Sequence, residues 1–201
     1  MIDTLNNGLR RIPTWLVYLA CAMPAPYFLY LGLTGGLGFE PIKALEHELG
    51  EFALQLVILS LAVTPMRRFL GLNLMKFRRA IGVMAFVYVL LHLLVWLVLD
   101  VQILSQIWAD ILKRPYITIG MTAFVLMLPL AATSNNWYMR RLGPRWKKLH
   151  RLAYPIAVLG AVHFVMLVKG FQIEPLIYLA VVLVLLFLRL PLLRRAGLLR
   201  P

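Results

Sequence analysis

The chain has 201 residues, 62% of them hydrophobic and only 14% charged, a balance that excludes a water-soluble domain of this size. Its formal charge of +13 would suit a nucleic-acid binder, but the 21 lysines and arginines punctuate apolar segments instead of sharing one polar face. That leaves a polytopic membrane protein.

Six apolar segments are long enough to span a bilayer: residues 13–33, 45–65, 80–99, 116–133, 150–168 and 172–190. They predict an all-α membrane protein, a bundle of six transmembrane helices forming a single domain over residues 1–201. The first segment follows Arg10 and Arg11 but is too long for the apolar core of a signal peptide, so it reads as a retained span. Cys21, the single cysteine, forbids an intrachain disulfide and reads as a small apolar helix residue. Pro24 and Pro26 should bend this helix. The outer turn TGGLGFEP lacks the lysine and following helix of a phosphate loop.

Segment two opens with KALEHELGE. His47 and Glu48 begin a zinc-protease HExxH, but Glu51 stands where the second histidine belongs, which excludes that chemistry. His47 is expected at the outer interface, either solvated or near a cofactor or quinone. Segment three starts at RRAIG and carries His92 within VYVLLHLLVWLVL. Arg78 precedes His92 by 14 residues. At 100° and 1.5 Å per residue the two lie about 40° apart on one face and roughly 21 Å from each other, so one face can serve two depths.

After Asp100 the outer link holds Trp108 and RPYITIG, with Trp108 and Tyr116 suited to an interface. Segment four leads into SNNWYMRRLGPRWKKLHR, the most basic stretch, which serves topology and anionic lipid or docks an anionic electron donor. Segment five, beginning HRLAYPIAVLGAVH, carries His150 and His163. On a straight helix these are offset by about 140°. Pro155 between them is expected to supply a kink or a local π-turn. Segment six, after EPLIY, is apolar all round and reads as packing.

Seventeen of the 21 cations fall on one side of this arrangement, leaving Lys43, Lys113, Arg114 and Lys169 on the other. By the positive-inside rule both termini are cytoplasmic.

Three imidazoles at membrane depth need partners, because unsatisfied polar groups in hydrocarbon cost several kcal/mol. His92 and His163 each lie 13 residues from the inner end of their segment, Arg79 and His150 respectively, and so stand at equal depth. Interhelical hydrogen bonding is the plain alternative. With no intramembrane acid nearby in sequence, the matched pair instead points to ligands for a metal, and haem iron is the commonest metal held this way between helices. His150 sits at the cytoplasmic interface, where a histidine is also cheap to solvate.

In their order and spacing, GGLGFEPIK, Thr64 to Arg67, RRAIG, the LH of segment three, RPYITIG, RLGPRWKKLHRLAY, the following histidine and EPLIY resemble one family over nearly the whole chain. This is the haem-binding membrane subunit of the bacterial periplasmic methionine sulfoxide reductase system (MsrQ/YedZ), within the ferric-reductase-like transmembrane group. The resemblance implies an inner-membrane b-type cytochrome with one or two haems. It would pass electrons from quinol or a cytoplasmic flavin reductase to a periplasmic molybdopterin-containing catalytic subunit that repairs oxidised proteins. It further implies haem ligation by His92 and His163, His150 as candidate ligand of an inner site, and an association with FMN. The wider group carries two histidines 14 apart on the third helix, whereas the inner position here is Arg78, a candidate propionate partner. No substrate chemistry of its own is expected. The rivals are a ferric-reductase-like carrier with another partner and a colourless transporter or scaffold. The latter is disfavoured by the lack of an internal repeat.

Overall fold

The computed structural model describes residues 2–168 and 170–189, and every regular element among them is helical. Lys169, Arg194, Arg195 and Arg200, four of the cations used to read topology, lie outside the described residues, as does Leu190 at the end of segment six. In chain order the α-helices are α1 (Ile2–Arg11), α2 (Thr14–Ala22), α3 (Pro24–Leu33), α4 (Pro41–Phe69), α5 (Arg78–Val95) and α6 (Leu104–Lys113). Then follow α7 (Pro115–Ala132), α8 (Asn136–Leu142), α9 (Pro144–Leu149), α10 (Ala153–Leu167) and α11 (Ile173–Phe187).

Five helical rods are long and apolar enough to cross a membrane: Thr14–Leu33, Pro41–Phe69, Arg78–Val101, Pro115–Ala132 and Pro144–Leu167. They correspond to the first five expected segments. The sixth segment is α11, apolar but 15 residues long, or about 22 Å, against a hydrocarbon core of roughly 30 Å.

Four rods close a ring: α4 packs on α5, α5 on α7, α7 on α10, and α10 returns to α4. Outside this ring α2 lies against α5, α3 against α4, and α11 against both α10 and α4. Helices α5 and α10 therefore stand diagonally across it. Ala157 and Ala161, one turn apart and fully buried, let α10 approach closely, and Leu61 and Val182 fill the contact.

The prolines of segment one do bend it. Pro24 and Pro26 have no N–H to offer the preceding turn, and the helix breaks at Met23 between α2 and α3. At the break the buried Tyr88 donates its O–H to the Cys21 carbonyl at 2.8 Å and accepts the Ala25 N–H at 2.9 Å. Those two backbone groups, four residues apart, would bond each other in an unbroken helix. One phenol thus spans the kink.

The links expected to be plain polar connections contain short helices. In α6 the exposed Leu104, Trp108 and Leu112 line up on one face, a pattern too short to register over a membrane-length window. Helix α1 is clipped to the α4–α5 link. The Asn6 side chain donates to the Gly71 carbonyl and accepts the Asn73 N–H, both at 2.9 Å, while Lys76 caps the carbonyls of Arg10 and Ile12 at 2.9 and 2.7 Å. A π-turn does occur, but at Trp96–Val101 beyond α5 and not near Pro155. Beside Pro155 the chain tightens instead, into a 3₁₀ turn at His150–Leu152.

Tyr88→Phe strands both backbone groups of the kink inside the apolar core. At about 1–3 kcal/mol for each unpaired buried group, the expected outcome is a clear drop in thermal midpoint of the detergent-solubilised protein, with helix content by circular dichroism unchanged.

Candidate functional site

His92 leaves α5 and His163 leaves α10, the diagonal pair of the ring, and their rings meet across its centre. The ring centroids are 6.2 Å apart and the planes are close to perpendicular, at 83°. Each ring is held the same way. Nδ1 of His92 donates to the Glu46 carbonyl of α4 at 2.8 Å, and Nδ1 of His163 donates to the Tyr116 carbonyl of α7 at 2.7 Å. A carbonyl only accepts, so Nδ1 carries the proton in both rings and Nε2 keeps its lone pair.

The two receiving helices are prepared alike. In an α-helix the carbonyl of Glu46 faces the N–H of Gly50, and that of Tyr116 faces the N–H of Gly120. A Cβ at Gly50 would lie 2.9 Å from Nδ1 of His92, and one at Gly120 would lie 2.9 Å from Nδ1 of His163. Each imidazole thus rests on bare backbone where the helix has a glycine. Sequence reasoning singled out KALEHELGE and RPYITIG without seeing this use. The usable signal was a glycine four residues after the accepting carbonyl on each helix, level with a histidine across the bundle.

Two imidazoles can coordinate one ion from opposite sides. Metal–imidazole bonds of about 2 Å place the ring centroids on the order of 6 Å apart, which fits the observed separation. Among the described residues there is no group of three or more His, Cys, Asp or Glu side chains that could hold a metal ion by itself. The pair alone would leave the remaining coordination positions to be filled by the group itself. This donor set fits a haem, which brings four nitrogens of its own: His92 and His163 would hold its iron, and the haem would supply one-electron redox chemistry.

At the other end of the ring, Arg78 and His150 line one cavity of about 630 Å³ together with Lys76, Arg79, Lys147 and Arg151. No carboxylate is among its lining residues. His150 stacks on Trp146 at 3.9 Å, with its Nε2 3.1 Å from the Thr133 hydroxyl. The 3₁₀ turn that contains His150 advances about 120° per residue, so three such residues cut the expected offset from His163 from about 140° to about 80°. Arg189 packs against two residues of the cavity lining, its guanidinium over Tyr154 at 5.3 Å and bonded to the Leu61 carbonyl. Its buried Nε has no hydrogen-bond partner among the described residues. The structure thus brings the four sequence-predicted residues together as two pairs, His92 with His163 and Arg78 with His150. His47 belongs to neither: it is exposed, with Nδ1 4.0 Å from a Glu51 carboxylate oxygen.

Residues 49–161, which include α5 with His92, both glycines and the first part of α10 up to two residues before His163, match the model of the ferric reductase like transmembrane component. The chain is also 52% identical over 178 residues to curated proteins of Brucella melitensis, Brucella ovis and Brucella abortus. These alignments cover 88% of this chain and 80% of each relative, and each relative is named a protein-methionine-sulfoxide reductase heme-binding subunit MsrQ. The chain belongs to the MsrQ family. With its apolar helices, it is a multi-pass protein of the bacterial inner membrane.

Gly120→Ala should displace the His163 ring and lower the metal retained per purified chain, read by elemental analysis. Gly160→Ala is the control: its Cβ meets Leu54 Cδ1 at an ordinary 3.6 Å, so metal content should stay at the wild-type level.

Proposed function

We propose that this chain is the haem b-binding electron-transfer subunit of a methionine sulfoxide reductase system. In this reading it passes electrons to a periplasmic molybdopterin-containing catalytic subunit that reduces methionine sulfoxide in oxidised proteins. The observation that carries the reading is the His92–His163 pair: two imidazoles 6.2 Å apart, each fixed through Nδ1 to a backbone carbonyl, with Nε2 left for iron. A haem bound there supplies a one-electron acceptor and donor. The protein's own residues do the rest. Diagonal helices hold the rings apart, Gly50 and Gly120 set how deeply each ring sits, and the backbone carbonyls fix its tautomer and raise its basicity as a ligand.

Six spans with both termini in the cytoplasm complete the topology. The cations of the α4–α5 link and of the stretch from Arg140 to Arg151 share one side, and the clip between α1 and Gly71–Lys76 keeps the N-terminus beside them. In this orientation the His92–His163 pair lies toward the periplasm and the Arg78–His150 cavity opens toward the cytoplasm. Reduction arrives from quinol or from a cytoplasmic flavin reductase.

The cavity holds a second, anionic aromatic group. It offers five cations and one histidine whose Nε2 already meets Thr133, so it lacks the imidazole pair of a second bis-histidine haem. Arg78, standing where the wider group has a second histidine, favours a charged partner such as a haem propionate or a flavin phosphate. Of these, FMN suits a site built from cations and the indole of Trp146, with His150 as neighbour to the ring system instead of iron ligand. The rival of a ferric-reductase-like carrier with another partner shares this electron path and differs only in the acceptor.

His92→Ala and His163→Ala should each abolish the b-type difference spectrum of dithionite-reduced minus oxidised protein while the chain still inserts. Unchanged haem content in either variant would falsify the ligand assignment. A pyridine haemochrome count of one haem per chain, with FMN released on acid extraction, is expected of the wild type; Lys147→Gln with Arg151→Gln should weaken flavin retention roughly tenfold, about 1.4 kcal/mol. Two haems per chain would overturn the flavin assignment in favour of iron at His150.

A further inference from the structure

Helix α6 joins two rods long and apolar enough to cross the membrane, Arg78–Val101 and Pro115–Ala132, which puts it at one surface of the bilayer. Its ten residues make a rod of about 15 Å. At 100° per residue Leu104, Trp108 and Leu112 fall within an arc of about 80°, and Gln106 and Asp110 each stand about 160° from Trp108, on the opposite side. The three apolar side chains are 69%, 60% and 79% exposed, far too open for a core face. Ile107 and Ile111, on the flank of the stripe, are half-buried.

The stripe does not end with the helix. Val98, Leu99 and Ile103, also exposed, carry it back onto the end of the preceding rod. An apolar surface continuous with a membrane-crossing rod, centred on an indole and opposed by polar residues, suits a helix lying in the headgroup region with its apolar face toward the acyl chains. The exposed Lys113 at its last turn is placed to meet lipid phosphates.

The corner between α6 and α7 is stiff, because only Arg114 separates the two helices. Its N–H donates to the Asp110 carbonyl at 2.9 Å, its Nε meets the Asp110 carboxylate at 3.1 Å, and its Nη1 donates to the Tyr116 hydroxyl at 3.3 Å. The Thr118 hydroxyl donates to the Ile111 carbonyl, one of those left without a partner where α6 ends. Tyr116 is the residue whose carbonyl takes the His163 N–H, and its ring lies 6.1 Å from that imidazole. A shift of α6 therefore reaches His163 through Arg114 and Tyr116.

We infer that α6 is a lipid-surface anchor: its Leu104–Trp108–Leu112 face rests in the headgroup region of the bilayer, and through Arg114 and Tyr116 this contact positions the His163 ring. The partner is the lipid surface itself. The positioning role rests on the haem-ligand reading above, whereas the lipid contact is independent of it.

The test places spin labels on a Cys21→Ser background in nanodiscs of phosphatidylethanolamine and phosphatidylglycerol. Labels at Leu104→Cys, Trp108→Cys and Leu112→Cys should collide with oxygen in preference to a water-soluble nickel chelate, and a label at Gln106→Cys the reverse. If the first three are as open to the chelate as the fourth, the stripe stands in water as the seat of a soluble partner, and the anchor is overturned. On the haem-loaded chain, Trp108→Ser with Leu112→Ser should shift the low-spin ferric signal in electron paramagnetic resonance and speed haem loss to apomyoglobin about threefold, short of the tenfold or more expected when a group bonded directly to a ligand histidine is lost. Trp108→Phe, which keeps the apolar contact, should leave both at wild-type values. Arg114→Gln should keep the labels at depth and reproduce the spectral change. A wild-type signal in either the double variant or Arg114→Gln breaks the link to His163. A wild-type chain that binds no haem refutes the electron-transfer reading, and the depth pattern, measured without haem, still decides the anchor.

Discussion

The arrangement of this protein depends on one repeated interaction, an imidazole N–H bonded to a main-chain carbonyl of a neighbouring helix at a point where that helix has no side chain. In hydrocarbon an imidazole that leaves its N–H unpaired is expensive, so this bond decides which way each ring faces. It also ties the diagonal helices to the ring: α5 to α4 through His92 and Glu46, α10 to α7 through His163 and Tyr116. The glycines at 50 and 120 are what permit it, since any larger residue puts a carbon atom where the ring must lie. Two equivalent joints, one on each side of the bundle, therefore bring the two rings within 6.2 Å of each other with Nδ1 of each already bonded.

The two ends of the bundle are built on opposite principles. At the end that holds His92 and His163, both imidazoles are buried and paired with main-chain carbonyls inside the protein. The opposite end is strongly positive, with Lys76, Arg78, Arg79, Lys147 and Arg151 around one cavity and Arg189 bonded to Tyr154, which lines it. Mutual repulsion of such a cluster is tolerated where water and anionic lipid are near and where an anionic guest can neutralise it. Along α5 the change from one regime to the other takes the 14 residues from Arg78 to His92, on a single face.

Much of this was legible in the sequence because membrane helices announce themselves by length and apolarity. The bend at Pro24, the level placement of His92 and His163 and the shared face of Arg78 and His92 all followed from helical arithmetic. What sequence could not supply were the contacts made sideways. Nothing in VYVLLHLLV says that Tyr88 reaches across to repair a proline break in another helix, or that Gly50 exists to seat a ring from α5. Of the kink or local π-turn expected at Pro155, no π-turn forms there: the chain tightens just before the proline, and the π-turn lies at Trp96–Val101 in a stretch without proline. The short α6 escaped because ten residues of amphipathic surface helix leave too little apolar length to stand out.

The diagonal placement of α5 and α10 also bears on how the molecule is made. His92 leaves the ribosome two helices of the ring before His163, and the two helices meet mainly through α4 and α7. A nascent chain interrupted anywhere before α10 owns only one of the two nitrogens and cannot close the clasp. Any group held between the two rings would thus be captured late in biogenesis, once all four walls of the ring are in the membrane.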